Sequence, residues 1–164
     1  MNKEIDKILR EFLEKLPKFP DGRIDYSNSD KVAVLTCFVK FKDKILLLKR
    51  SKKVGVYKLK WNTIAGYIDE LKSIRKKVLE ELKEEIGVLQ KDIQEIKIKE
   101  SYEFFDSDIK KAWIIYPAIV ELKKKPKIRL DWEHTEFKWI FSEEIMKYDI
   151  VPKLDESLKR VLVK

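Results

Sequence analysis

The sequence predicts an α+β fold, a mixed β-sheet flanked by helices in an α/β/α sandwich. Three observations carry that prediction. Runs rich in β-formers occur at Lys31–Phe41, 93–105 and Lys111–Leu122. Two segments with helical spacing of apolar residues, 2–16 and 73–86, are interleaved with those runs. The 164 residues are 44% apolar and 11% aromatic, enough for one domain with a real core.

Each element follows from local pattern. In 2–16, Ile5, Ile8, Leu9, Phe12, Leu13 and Leu16 recur at helical spacing. Pro17 and Pro20 end that helix, and Asp21-Gly22 makes a turn. Residues 1–20 therefore form a helical extension to a domain over 21–164. Lys31–Phe41 and 44–49 pair as a hairpin across Lys42-Asp43. A lysine-dense loop, 50–60, leads to a short apolar stretch, 61–68, that contains Gly66. Ser73 caps a helix running to Ile86, with Gly87 as its stop. Strands follow at 93–105 and Lys111–Leu122, and Pro126 breaks the chain. A short strand at 137–141, a helix capped by Ser142 and a last helix over 154–163 complete the order.

Charge narrows the function classes. Lys and Arg number 37 against 29 Asp and Glu, a net charge of +8 that suits phosphate-bearing partners. No RNA-binding signature accompanies it, so nucleic acid is the weaker partner class. The single cysteine, Cys37, excludes a disulfide within the chain and points to a reducing compartment. The N-terminal segment is charged throughout, and no run approaches the ~20 apolar residues of a membrane span. The expectation is a cytoplasmic protein, monomer or homodimer, acting on a small molecule.

The helix at 74–86 carries the chemistry. Ile74, Val78, Leu82 and Ile86 make its apolar stripe. Glu81 and Glu85 run along one flank, with Glu84 just further round. These carboxylates occupy the last turns, where the helix dipole disfavours negative charge by ~0.3–1 kcal/mol each. A divalent cation would offset that repulsion, and hard oxygen ligands suit Mg²⁺ or Mn²⁺. A solvated Glu/Lys surface would give the same pattern.

The segment from Gly66 to Val88 resembles the Nudix box, G-x5-E-x7-R-E-U-x-E-E-x-G-U, where U is a bulky aliphatic residue. Gly66, Glu81, Leu82, Glu84, Glu85, Gly87 and Val88 match at the required spacing. Two positions depart: the first glutamate is Lys72 and the arginine is Glu80. The two charges are exchanged together, which reads as a reversed ion pair. The resemblance implies a Nudix-like fold and a nucleotide pyrophosphohydrolase, with water attacking phosphorus in a nucleoside diphosphate linked to another group. It implies Mg²⁺ (or Mn²⁺) held by Glu81, Glu84, Glu85 and the carbonyl of Gly66. A later carboxylate serves as ligand or base; Glu133 is the first choice, then Glu136 and Glu103. Arg50 is the candidate for diphosphate oxygens, with Lys49, Lys52, Lys53, Lys58 and Lys60 nearby. Trp61 and Tyr67 are candidates for a base, with core packing ranked ahead of that use for Trp61. His134 reads as a structural hydrogen-bonding residue before a substrate contact. Two alternatives remain: a non-catalytic nucleotide-binding module, and an isopentenyl-diphosphate isomerase-like enzyme that would use Cys37.

Overall fold

The structure, a computed structural model, describes the backbone of residues 3–164 and the side chains of 7–164. The expected helix start at Asn2 and the packing of Ile5 lie outside the described residues. Helix α1, Lys3–Lys15, buries Leu9, and Ile8, Phe12 and Leu13 pack against the same core. Gly22 makes the turn beyond it with φ 92°, a conformation that costs glycine little.

The sheet is built around β1, Lys31–Phe41. It pairs in parallel with β7, Lys111–Leu122, from Lys31↔Ala112 to Lys40↔Glu121. Both strands read as near-continuous apolar runs because both faces are covered. On its other edge β1 meets β2, Lys44–Arg50, and β4, Ile64–Tyr67. β2 also pairs with β3, Trp61–Asn62, and with the edge strand β8, His134–Phe141. β5, Ile93–Ile98, and β6, Tyr102–Asp106, share the far edge of β7. Helix α2, Ile74–Ile86, covers one face with α1, burying Ile74, Val78, Leu82 and Ile86. Helix α3, Leu154–Leu162, covers the other with Leu154, Leu158 and Val161 against Phe38, Ile45, Leu47 and Ile119. This is the expected α/β/α sandwich.

Three local expectations need correction. The run 93–105 is two strands, divided where Lys99 donates to the Pro117 carbonyl. The stretch 61–68 is not a simple approach to Gly66 but two short strands, β3 and β4. Ser142 does not cap an α-helix: Ser142–Lys147 is a 3-10 helix, and the Glu144 carboxylate accepts from the Phe141 amide at 2.9 Å.

Candidate active site

Helix α2 begins and ends as its sequence dictates. The Ser73 hydroxyl accepts from the Lys76 amide, and Gly87, at φ 74°, closes the C-terminus in the left-handed region. The remaining terminal carbonyls recruit a distant loop: Arg129 donates to Ile86 O and Asp131 to Glu85 O. Those two bonds bring the loop over 129–134 onto the carboxylates of α2. The Ser51 amide fixes it further by donating to the Glu133 carbonyl at 2.7 Å.

The result is a buried acidic cluster. Glu85 is 2% exposed, and its carboxylate accepts from the Ala65 amide at 3.2 Å. Burial pushes its carboxyl well above the ordinary value, and the charges of Glu81, Glu133 and Asp131 push the same way. Burial also raises Glu133, with Asp131 adding to it; a hydrogen bond from Glu85 and the charge of Arg50 oppose the rise. Glu81 is 8% exposed and likewise raised by burial, against the opposing effect of Lys77. The Lys77 ammonium lies 2.8 Å from Glu81 Oε1, both side chains nearly buried. Glu84 is exposed on the same face and lines the cavity.

Gly66 is a requirement of this geometry. A Cβ there would come within 2.5 Å of Glu81 Cδ. His134 is buried beside the cluster, its Nδ1 3.2 Å from Asp131 and its Nε2 3.9 Å from Glu85. Burial lowers its pKa while Asp131 opposes. Ligand atoms of Glu85, Glu133 and His134 all lie within 4.8 Å of one another. Close-set, buried carboxylate oxygens fit a hard divalent cation, which would restore their charged forms.

Glu133, with Glu81 and Glu84, lines a cavity of about 480 Å³, within the range of small-molecule sites. Its acidic wall is Glu81, Glu84 and Glu133; its apolar wall includes Val34, Phe104, Trp113 and Ile115. Tyr67 also lines the cavity, packed on Tyr26 and Trp113. Trp132 is exposed at the rim. Arg50 lines the cavity, but its Nε and Nη2 donate to the Val56 carbonyl, and its charge lies beside Glu133.

Other sequence candidates lie elsewhere. Trp61 is buried in the α3-side core, edge-on to Tyr148, and does not line the cavity. Glu136 pairs with Lys49 and Glu103 with Lys31, both away from the cavity. Lys60 pairs with Asp149, and Lys52, Lys53 and Lys58 also lie off it. Cys37 is fully buried in β1, and burial raises its thiol pKa, which removes the support for isomerase-like chemistry. Sequence reasoning missed Lys77, Asp131, Trp113 and Trp132. Lys77 alone carried a local signal, its i,i+4 spacing from Glu81.

The exchanged pair is formed. Lys72 Nζ lies 2.8 Å from Glu80 Oε2 and 3.3 Å from Glu70 Oε1. Such a pair contributes only ~0.2–1 kcal/mol, so its use is to hold the loop that follows Gly66. Lys72→Glu and Glu80→Arg should each lower turnover by placing like charges together. The double variant should recover part of the loss; Glu70 beside Lys72 prevents full recovery. A double-mutant cycle in kcat/KM reads the coupling, and strictly additive losses would disprove it.

Comparison with known proteins agrees with this architecture. The family model described as NUDIX domain matches residues 29–161. A sequence comparison with curated proteins finds no match. Among solved structures, the MutT protein from Methanosarcina mazei Go1 is similar at TM-score 0.65 and 20% identity, over 81% of this chain and 94% of that one. An Ap4A hydrolase of C. elegans, in a binary complex, gives TM-score 0.63 and 18% identity over 79% and 93%. The NUDIX domain of Shewanella oneidensis NrtR, complexed with ADP ribose, gives 0.66 and 15% over 98% and 96%. At these identities the likenesses establish the fold. With the family model spanning most of its length, the chain belongs to the NUDIX domain family and has the build of a Nudix-type pyrophosphohydrolase.

Proposed function

We propose that the protein hydrolyses a nucleoside diphosphate linked to another group, with Mg²⁺ or Mn²⁺ as cofactor. The observation that carries this reading is a carboxylate cluster, buried Glu81 and Glu85 with half-buried Glu133, of which Glu81 and Glu133 line one wall of a cavity whose other wall is apolar and aromatic. The acidic wall suits a cation-bound diphosphate, and the aromatic wall suits a base. Glu81 and Glu85 would hold the cation, with Glu84 on the exposed side and the Gly66 carbonyl as the family resemblance implies. When bound, the ion supplies charge neutralisation on the diphosphate and a more acidic water.

The chain's own residues do the rest. Glu133 is the proton acceptor for the attacking water: burial gives it a higher pKa, and therefore more basicity, than an exposed carboxylate. The Ser51 amide and the bonds to the α2 carbonyls hold its peptide in place. Arg50, fixed on Val56 O, keeps a positive charge beside it. Tyr67, Trp113 and Trp132 offer faces to a base.

A second reading, a nucleotide-binding module without turnover, draws on the Lys77–Glu81 pair, which sets an ammonium against a proposed metal ligand. Two measurements on one panel separate them. Nucleoside triphosphates, dinucleoside polyphosphates, ADP-ribose and nucleotide sugars are assayed for products with Mg²⁺ or Mn²⁺ and for binding by calorimetry. Cleavage at a diphosphate, lost in Glu133→Gln, supports the hydrolase. Tight binding with no product across the panel favours the module.

A further inference from the structure

Residues 3–28 lie outside the family match, yet part of this stretch reaches the cavity. The segment after α1 is docked firmly. Ile24 and Tyr26 are buried. The Ile24 amide donates to Asp69 O at 2.9 Å, and the Tyr26 hydroxyl donates to Ile68 O at 2.6 Å. Phe12 meets Tyr26 edge-on at 5.7 Å, and Tyr26 meets Tyr67 at 5.8 Å. A line of rings thus joins α1 to the cavity wall beside Gly66.

Arg23 sits on this docked segment and lines the cavity with Asp69, Lys77 and Glu81. Its Nε is held by Asp21 Oδ2 at 2.7 Å, and its guanidinium lies 5.3 Å from the Phe19 ring centre. Nη1 faces Asp69 Oδ2 at 3.7 Å, a looser contact than the one to Asp21. Asp69 is itself raised by burial, with Lys77 and Arg23 opposing. The guanidinium is therefore oriented on its Nε side and only loosely engaged at Nη1. A planar fork presented this way matches the oxygens of a phosphate. Of the other cations lining the cavity, Arg50 is engaged by the Val56 carbonyl and Lys77 by Glu81, and Lys153 lies over the Phe104 ring.

We propose that Arg23 binds a phosphate oxygen of the substrate, so that the segment between α1 and β1 completes the binding site. The inference rests on the diphosphate reading above. Asp69 occupies the guanidinium until the phosphate arrives, which gives the two residues opposite effects on affinity.

The test is equilibrium binding of ADP and of inorganic pyrophosphate to the full chain, with adenosine as the uncharged control. Arg23→Gln should weaken ADP about tenfold or more, as expected for a lost hydrogen bond to a charged group, and leave adenosine unchanged. Arg23→Lys should keep part of the affinity. Asp69→Asn should bind ADP as tightly as wild type or more tightly. If the Arg23–Asp69 contact merely pins the segment between α1 and β1, both neutral variants lower the melting temperature and weaken ADP and adenosine alike; that result overturns the proposal. So does an Arg23→Gln protein that binds ADP normally, which leaves the hydrolase reading intact. A wild-type protein that binds neither ADP nor pyrophosphate, with or without Mn²⁺, refutes the diphosphate reading and this proposal together.

Discussion

Glu85→Gln should lower turnover by roughly 10²- to 10⁴-fold, equivalent to losing the several kcal/mol that a bound metal ion contributes, and at the same time raise the metal-free melting temperature at pH 7. The two effects share one cause. Glu85 is almost fully buried among Glu81, Glu133 and Asp131, so its charged form is disfavoured. Its folded pKa lies above the value of 4.5 it has when unperturbed. Metal-free stability is then greatest below that value, falls as pH rises toward the folded pKa, and stays reduced above it. Glutamine is neutral throughout and can still accept from the Ala65 amide. The variant should lose the part of the alkaline decline that Glu85 contributes, leaving that of Glu81 and Glu133. Added Mn²⁺ should stabilise wild type, because a ligand at one hundred times its Kd contributes about 2.7 kcal/mol, and should do little for the variant. Glu81→Gln should lose turnover similarly but gain no stability, since it strands the nearly buried Lys77 ammonium. Thermal melts from pH 5 to 8, with and without Mn²⁺, separate these outcomes. A large metal-free loss in Glu85→Gln would mark it as a structural partner and sink the metal assignment.

The contrast between Glu81 and Glu85 also shows what a sequence can carry. Both residues were legible as site carboxylates, because their spacing from Gly66 and Gly87 is a local pattern. The hairpin at Lys42-Asp43 and the caps at Ser73 and Gly87 were legible for the same reason. The Lys72–Glu80 pair followed from two departures that compensate each other. Residues placed by long-range pairing were not legible. Trp113 enters the cavity because β7 runs parallel to β1, a register set by strands some eighty positions apart. Glu133 was ranked first among three carboxylates on family resemblance, but what brings it there is the capping of α2 carbonyls by Arg129 and Asp131. Trp61 was offered as a base contact, behind core packing, from its nearness in sequence to Gly66. Strand alternation turns it into the core under α3. Arg23 gave no signal at all, since its place on the cavity depends on where the segment between α1 and β1 docks.

Gly66→Ala should reduce turnover about a hundredfold, the order expected when a catalytic group is misplaced by roughly 1 Å. The reason is space and not backbone freedom. Gly66 lies in β4 opposite Leu35, and it is not among the residues with positive φ. An added methyl would instead overlap the Glu81 carboxylate. Glu81 can yield only by leaving its place, because Lys77 and the surrounding protein enclose it. The expected stability cost is ~1–3 kcal/mol, typical of overpacking at a buried site. Crossing the substitution with Glu81→Gln tests whether the effect runs through that carboxylate. If it does, the double variant is scarcely worse than Glu81→Gln alone, and the two losses are far from additive. Mn²⁺ affinity should follow the same pattern. Independent losses that multiply would mean that Gly66 acts on the substrate directly, and that its closeness to Glu81 has no catalytic consequence.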